Sequence, residues 1–249
     1  MNAFKFDDNE AKFIAKEIIL KRLNTSVKNA NKIITYSISA TNTLSDITSL
    51  EKKWSYTPKD NLHSYGRKVT DEKIGFWSVP SMSAKVLAYL VLYTGAKNIL
   101  EIGTSVGYST IHLATAVKQT RGKVNTIECL SEKIKIAKTN FKKANVNDKI
   151  NLIAEEASQV LANWKGGVID FVFLDADKEN YRKYFDILLP MMSNGALIVA
   201  DNINDYGHMM EDYLQKVSGT HLAKSRCDGR VKSTYVAQLD NGLMITKKL

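Results

Sequence analysis

The feature that most constrains this chain is a regular alternation between residues 98 and 200. Short runs rich in β-branched and other apolar residues, at 98–102, 124–128, 150–153, 168–174 and 196–200, are separated by stretches with helical spacing, such as 131–144 and 178–189. Strand, helix and strand in succession demand crossover connections, and crossovers produce a parallel sheet covered by helices on both faces. A strongly apolar helix precedes the first strand. It begins at Ser81, carries Val86, Leu87, Leu90 and Val91, and is stopped by Gly95. Past the fifth run the pattern changes: residues 235–239, then Asp240-Asn241-Gly242, then 243–246, read as a hairpin with a tight turn. The expected fold class is therefore α/β, with a mainly parallel seven-stranded sheet that ends in an antiparallel C-terminal hairpin.

Residues 1–75 show no such alternation and are rich in Asn, Ser, Thr and Lys. Asp8 is placed to cap a helix with Phe13, Ile14, Ile18 and Leu23 at helical spacing. A second helical stretch is expected from 26 towards 37, and 54–75 reads as loop with Pro58 and Gly66. The chain of 249 residues thus divides into an N-terminal helical extension, 1–75, suited to a lid or dimer contact, and one domain, 76–249.

No apolar run approaches the roughly 20 residues that cross a bilayer, and the first thirty residues lack the apolar region of a signal peptide. Cys129 and Cys227 are too few for a disulfide framework and lack metal-ligand spacing. A cytoplasmic protein with no membrane partner is expected. The net charge of +9 would suit a polyanion. The lysines are scattered, however, and no block of like charge forms, so a compositional bias accounts for them better than a binding arm.

The strongest local signal is Glu101-Ile102-Gly103-Thr104-Ser105-Val106-Gly107-Tyr108-Ser109, where the first strand turns into a helix. That is where open α/β sheets bind ligands. Gly103 and Gly107 allow a sharp turn and a close backbone approach. The dinucleotide spacing G-x-G-x-x-G is absent, because Ser105 holds the middle place. Glu101 would repel a pyrophosphate but suits a cationic ligand with a free ammonium group, such as S-adenosylmethionine. Glu128 ends the second strand, where a carboxylate can accept the hydroxyl hydrogens of a ribose. Glu156-Ala157 follows the third, within reach of an adenine edge. Each of these, taken alone, is also compatible with an ordinary turn or a solvated strand end.

A second constellation follows the fourth and fifth strands. Asp175 ends one, Asp201-Asn202 ends the next, and Lys178 lies one helical turn past Asp175. A single Asp there reads as a helix cap. Two acidic strand ends with an adjacent Asn can converge on one crevice, and three oxygen ligands suit a divalent cation such as Mg²⁺. The histidines His63, His112, His208 and His221 show no paired ligand spacing, and no nucleophile elbow or phosphate-binding loop is present.

Glu101 to Ser109, Phe173-Leu174-Asp175-Ala176-Asp177-Lys178 with Tyr181, and Ala200-Asp201-Asn202 together resemble the cation-dependent O-methyltransferases. That family includes catechol and caffeoyl-coenzyme A O-methyltransferases and bacterial relatives. The resemblance runs from Trp77 to the C-terminus and implies a Rossmann-like S-adenosylmethionine-dependent methyltransferase fold. It implies donor contacts from Glu101, Gly103, Ser109, Glu128 and Ala157, with Thr104, Glu156 and Asp175 completing that set. It implies metal ligation by Asp175, Asp201 and Asn202, with Asp175 and Lys178 as catalytic groups and Lys178 beside the reacting hydroxyl.

Some residues depart from the family pattern: Val79 bears on a donor contact, which is not carried over, and the segment before the hairpin on the acceptor side. Ser83-Ala84-Lys85 stands where Glu-Gly-Gln is usual, Val79 replaces a small hydroxyl residue, and the segment between Asn202 and the hairpin is short. The expected reaction is in-line displacement of the methyl group by a hydroxyl oxygen whose pKa a metal lowers, with Lys178 taking or holding the proton. The expected acceptor is a small catechol-like or natural-product hydroxyl compound. A tRNA hydroxyuridine is the second reading, and a non-catalytic S-adenosylmethionine-binding module the third. A homodimer is expected.

Overall fold

The computed structural model describes residues 8–24, 40–53, 76–218 and 227–249. The helix expected at 26–37 and the loop expected at 54–75 lie outside them. Helix α1 (Asp8–Glu17) runs into a π turn (Ile18–Arg22), and α2 (Thr41–Lys53) precedes α3 (Ser81–Thr94). Then come β1 (Asn98–Ile102), α4 (Tyr108–Thr120), β2 (Lys123–Glu128), α5 (Ser131–Lys143), β3 (Ile150–Ala154), α6 (Ala157–Ala162) and β4 (Ile169–Leu174). The chain continues through α7 (Tyr181–Met191), β5 (Met192–Ala200), α8 (Ile203–Tyr206), α9 (Glu211–Ser218), β6 (Val231–Val236) and β7 (Leu243–Lys248).

The seven strands form one sheet in the order β3-β2-β1-β4-β5-β7-β6. Strands β1 to β5 are parallel, while β7 runs antiparallel to β5 and β6 antiparallel to β7. The order reverses beside β1, which creates the crevice where such sheets take ligands.

Alternating side chains fill two cores. Ile99, Phe171, Phe173, Leu197, Val199, Leu243 and Ile245 point to the face covered by α1, α3 and α4. Leu100, Ile102, Val172, Leu174, Ile198 and Met244 point to the other, under α6, α7 and α9. Both faces of the central strands are apolar because both are covered. The helix α3 is buried on nearly every side, which is why its sequence reads as continuously apolar.

Some boundaries differ from the sequence expectation. Phe13 faces solvent at 63% exposure, and the buried face of α1 and its π turn is Ala11, Ala15, Ile18 and Ile19. Small residues let this helix approach α3 closely. β5 starts at Met192 rather than at residue 196: Gly195 has φ +82°, and two steps along β4 correspond to five along β5. A local bulge lets the strand extend.

The hairpin exists, with a six-residue connection over 237–242, and the expected tight turn forms inside it, closed by the Gly242 N–H donating to the Leu239 carbonyl at 2.5 Å. Tertiary bonds hold the rest of this connection. The amide of Asn204 donates to the carbonyls of Ala237 (3.2 Å) and Asp240 (2.7 Å), and the backbone N–H groups of Ile203 and Asn204 donate to Gly242 (3.2 Å) and Asn241 (2.8 Å). Among the described residues no helix is long and apolar enough to cross a membrane.

Candidate active site

Glu101 lies on β1, in register with Thr126 of β2 and Phe173 of β4. Its parity turns it into the face beneath α4, where it is fully buried. A carboxyl group so placed needs partners. Ser109 Oγ donates to Oε1 at 2.6 Å, and Thr110 and Thr126 Oγ1 donate to Oε2 at 2.5 and 2.6 Å. Thr104 and Thr126 hydroxyls share a further hydrogen bond of 2.6 Å. Burial pushes the Glu101 carboxyl up to about 7, against the three hydroxyls that favour its charged form; Asp175 adds to the rise. Near neutrality Glu101 is thus poised between states, and an incoming cation would draw off its proton.

The turn after β1 is tied to its neighbours. The N–H groups of Gly103 and Thr104 both donate to the Ile127 carbonyl at 3.1 Å. Gly103 has φ +101°, and a Cβ there would run into the carbonyl oxygen of Asp175. The glycine is therefore demanded by strand β4 as well as by space for a ligand. Ser105, at φ +47°, donates its N–H to Glu128 Oε2 at 2.9 Å. The other oxygen of Glu128 accepts the N–H groups of Cys129 (3.0 Å) and Leu130 (3.1 Å). Three backbone donors hold this carboxylate at the crevice and leave it acceptor capacity for hydroxyl groups. Glu156 precedes α6 at partial exposure, and Ala157 begins that helix buried. In sheet order, the ends of β3, β2, β1 and β4 span three strand spacings, about 14 Å, so the groups expected at the donor site gather along one edge of the sheet.

Asp175 and Asp201 each follow their strand by one residue. Asp175 N–H donates to Ile102 O (2.9 Å), and Asp201 N–H to Leu174 O (3.1 Å), so both extend the ladders of adjacent strands. Leu174 pairs with Ala200, which places the two carboxylates side by side. Lys178, 4% exposed, donates its ammonium to Asp175 Oδ1 (2.9 Å) and to the Tyr181 hydroxyl (2.8 Å). That hydroxyl in turn donates to Leu174 O at 2.9 Å. The lysine is thereby held at the strand end by a buried tyrosine.

Asp201 is 1% exposed, and its Oδ1 has no hydrogen-bond partner among the described residues. Burial first, then the nearby Asp175, push its carboxyl up to about 7, with Lys178 opposing. Asn202 follows in the left-handed region at φ +67°. Its segment is stapled to the hairpin loop by Asn204, whose Oδ1 also accepts the Tyr235 hydroxyl. No cluster of three or more His, Cys, Asp or Glu side chains gathers among the described residues. A cation at this place would take two carboxylates and one amide, and the unpartnered Asp201 oxygen fits such a role.

Several participants were not visible to sequence reasoning. Thr110 and Thr126 clamp Glu101, and Asn204 braces the segment after Asp201. Only register and tertiary contact reveal them. At the departures from the family pattern, Val79 and Ser83 are buried, and Ser83 Oγ has no hydrogen-bond partner among the described residues.

A doubly wound sheet closed by an antiparallel hairpin, with an acidic glycine turn at its crevice, is the Rossmann-like methyltransferase fold. An O-methyltransferase from Bacillus cereus, solved in complex with SAH, superposes with a TM-score of 0.65 over 98% of this chain and 100% of that one, at 23% identity. The sequence model of the O-methyltransferase family matches residues 55–249, and the chain belongs to that family. A flavonoid 3',5'-methyltransferase from Vitis vinifera is 30% identical over 74% of this chain and 85% of that protein. A catechol O-methyltransferase from Mycobacterium tuberculosis is 36% identical over 51% of this chain. The alignment spans 57% of that relative, so the chain covers little more than half of its length.

Proposed function

We propose that this chain transfers a methyl group from S-adenosylmethionine to a hydroxyl oxygen of a small catechol-like or natural-product acceptor, with help from a divalent cation, Mg²⁺ in the first instance. The observation that carries the reading is Asp201, a buried carboxylate with an unpartnered oxygen, set beside Asp175 at adjoining strand ends. A small aromatic acceptor is supported by the catechol and flavonoid methyltransferases among the relatives.

Glu101 takes the donor's ammonium end, Ser109 and the Gly103-Thr104 turn lie against its amino-acid part, and Glu128 accepts the ribose hydroxyls. Glu156 and Ala157 border the adenine. Asp175, Asp201 and Asn202 hold the cation, which when bound supplies the Lewis acidity that lowers the pKa of an acceptor hydroxyl. Lys178 holds or takes the hydroxyl proton, fixed in place by Asp175 and Tyr181. The protein's main contribution is alignment of oxygen, methyl carbon and sulfur in one line.

The test is incubation with methyl-labelled S-adenosylmethionine and, separately, catechol-type compounds, flavonoids and bulk tRNA, each with Mg²⁺ or with excess chelator. Label should enter the phenolic compounds only, and only with Mg²⁺. Label entering tRNA alone would overturn the acceptor, and full turnover in chelator would overturn the metal.

A further inference from the structure

Lys133 stands apart from the other lysines of α5. That helix turns Glu132, Lys135 and Lys138 to solvent, whereas Lys133 points inward with Ile134 and Ala137 and is 5% exposed. Its ammonium sits 5.0 Å from the centre of the Trp77 ring, in the segment that leads into α3. It also feels the carboxylates of Glu128 and Asp175, which offset part of the burial that pushes the ammonium down from the ordinary lysine value.

Those two carboxylates stand past β2 and β4, on opposite sides of β1. Lys133 shares the buried face of α5 with Asn140, whose amide donates to the Val106 carbonyl of the glycine turn at 2.9 Å, and lies about two helical turns nearer the carboxyl edge of the sheet. Burying an ammonium is costly, and a methionine or leucine would fill the same space without that cost. The half-exposed ring of Trp77 offers the charge a cation–π partner.

We infer that Lys133 is a specificity-determining residue of the donor site, whose positive charge disfavours the sulfonium donor relative to its neutral thioether product. The inference rests on the S-adenosylmethionine reading above. In the transfer, an electron pair of the acceptor oxygen forms the C–O bond and the C–S bond breaks with its pair left on sulfur. The sulfonium thereby becomes a neutral thioether, and the hydroxyl proton passes to the Lys178 amine in its neutral form. A positive charge fixed over the crevice raises the reactant and leaves the product untouched. For a sulfonium about 10 Å away and an effective dielectric of about 20 to 40, that discrimination would amount to roughly fourfold to fifteenfold in affinity.

Calorimetry on the full chain should compare S-adenosylmethionine with S-adenosylhomocysteine in the parent, K133M and K133R. K133M should bind the sulfonium donor roughly fourfold to fifteenfold more tightly and leave the neutral product within about twofold. K133R, which retains the charge, should keep the parental ratio, and K133Q serves the same comparison if K133M fails to fold. Equal weakening of both ligands by K133M would overturn the inference in favour of a direct contact with their shared part. Unchanged affinities would overturn it in favour of packing. A parent that binds neither ligand would sink the donor reading itself.

Discussion

Glu101→Gln should make the ligand-free protein more stable at high pH while removing its hold on the donor. The folded-state carboxyl is pushed up to about 7 from an ordinary 4.5. Between those values the folded protein keeps a proton that the unfolded chain has released, so stability falls as pH rises through this window. At about 1.4 kcal/mol for each tenfold in proton affinity, the loss from below 4.5 to above 7 is about 3 kcal/mol. Full burial leaves no solvent screening to reduce it.

Gln has no proton to lose and nearly the same shape. Its carbonyl oxygen can accept from Thr110 and Thr126, while its amide donates to Ser109 Oγ, which must reverse from donor to acceptor. That rearrangement costs about 1 kcal/mol. E101Q should therefore lie slightly below the parent at pH 5 and about 2 kcal/mol above it at pH 8. Guanidinium unfolding at a series of pH values, with slopes compared, measures this. Parallel pH–stability curves for the two proteins, or a variant weaker than the parent at pH 8, would refute the reasoning. The same logic has the parent's donor affinity fall as pH drops below about 7, since donor binding must expel the Glu101 proton, while E101Q binds weakly at every pH.

Gly103→Ala combines a left-handed backbone, costing about 1 to 2 kcal/mol, with a methyl group driven into the Asp175 carbonyl. A fall in unfolding free energy of about 2 to 4 kcal/mol is expected, and a parental midpoint in urea would show that the turn is looser than described. Lys178→Met strips one partner from Asp175 and one from Tyr181; turnover should drop by about 10² to 10⁴ and recover partly at high pH. Calorimetric donor affinity should not change, and near-parental turnover would leave the Lys178–Asp175 pair a merely structural role. Asn204→Ala releases the bonds to residues 237 and 240 and should cost about 1 to 2 kcal/mol. By loosening the segment after Asp201 it should also raise the Mg²⁺ concentration needed for half-maximal turnover, and an unchanged metal titration would count against that brace.

What the sequence determined by itself is whatever depends on neighbours along the chain. Periodicity of two and of 3.6 residues is local, so the five parallel strands, the helix stopped by Gly95 and the strand-end positions of Glu101, Glu128, Asp175 and Asp201 were all legible. Because parallel strands deliver their carboxyl ends to one edge, the convergence of those carboxylates followed from connectivity alone.

The tertiary structure decided what depends on register and on contacts between distant segments. Thr126 meets Glu101 only because β1 and β2 pair with those residues in register, and Thr110 joins them only because α4 packs on that face. Phe13 looked like a core residue by spacing, yet the close approach of α1 to α3 selected Ala11 and Ala15 instead. The turn at Asp240-Asn241-Gly242 was legible locally, but the rest of the 237–242 connection was not, because Asn204, far away in sequence, ties down the carbonyls of Ala237 and Asp240. Lys133 is one of many lysines in the sequence. Only its burial beside Trp77 on the inner face of α5 sets it apart, since burial is a property of the assembled fold and not of the residue type.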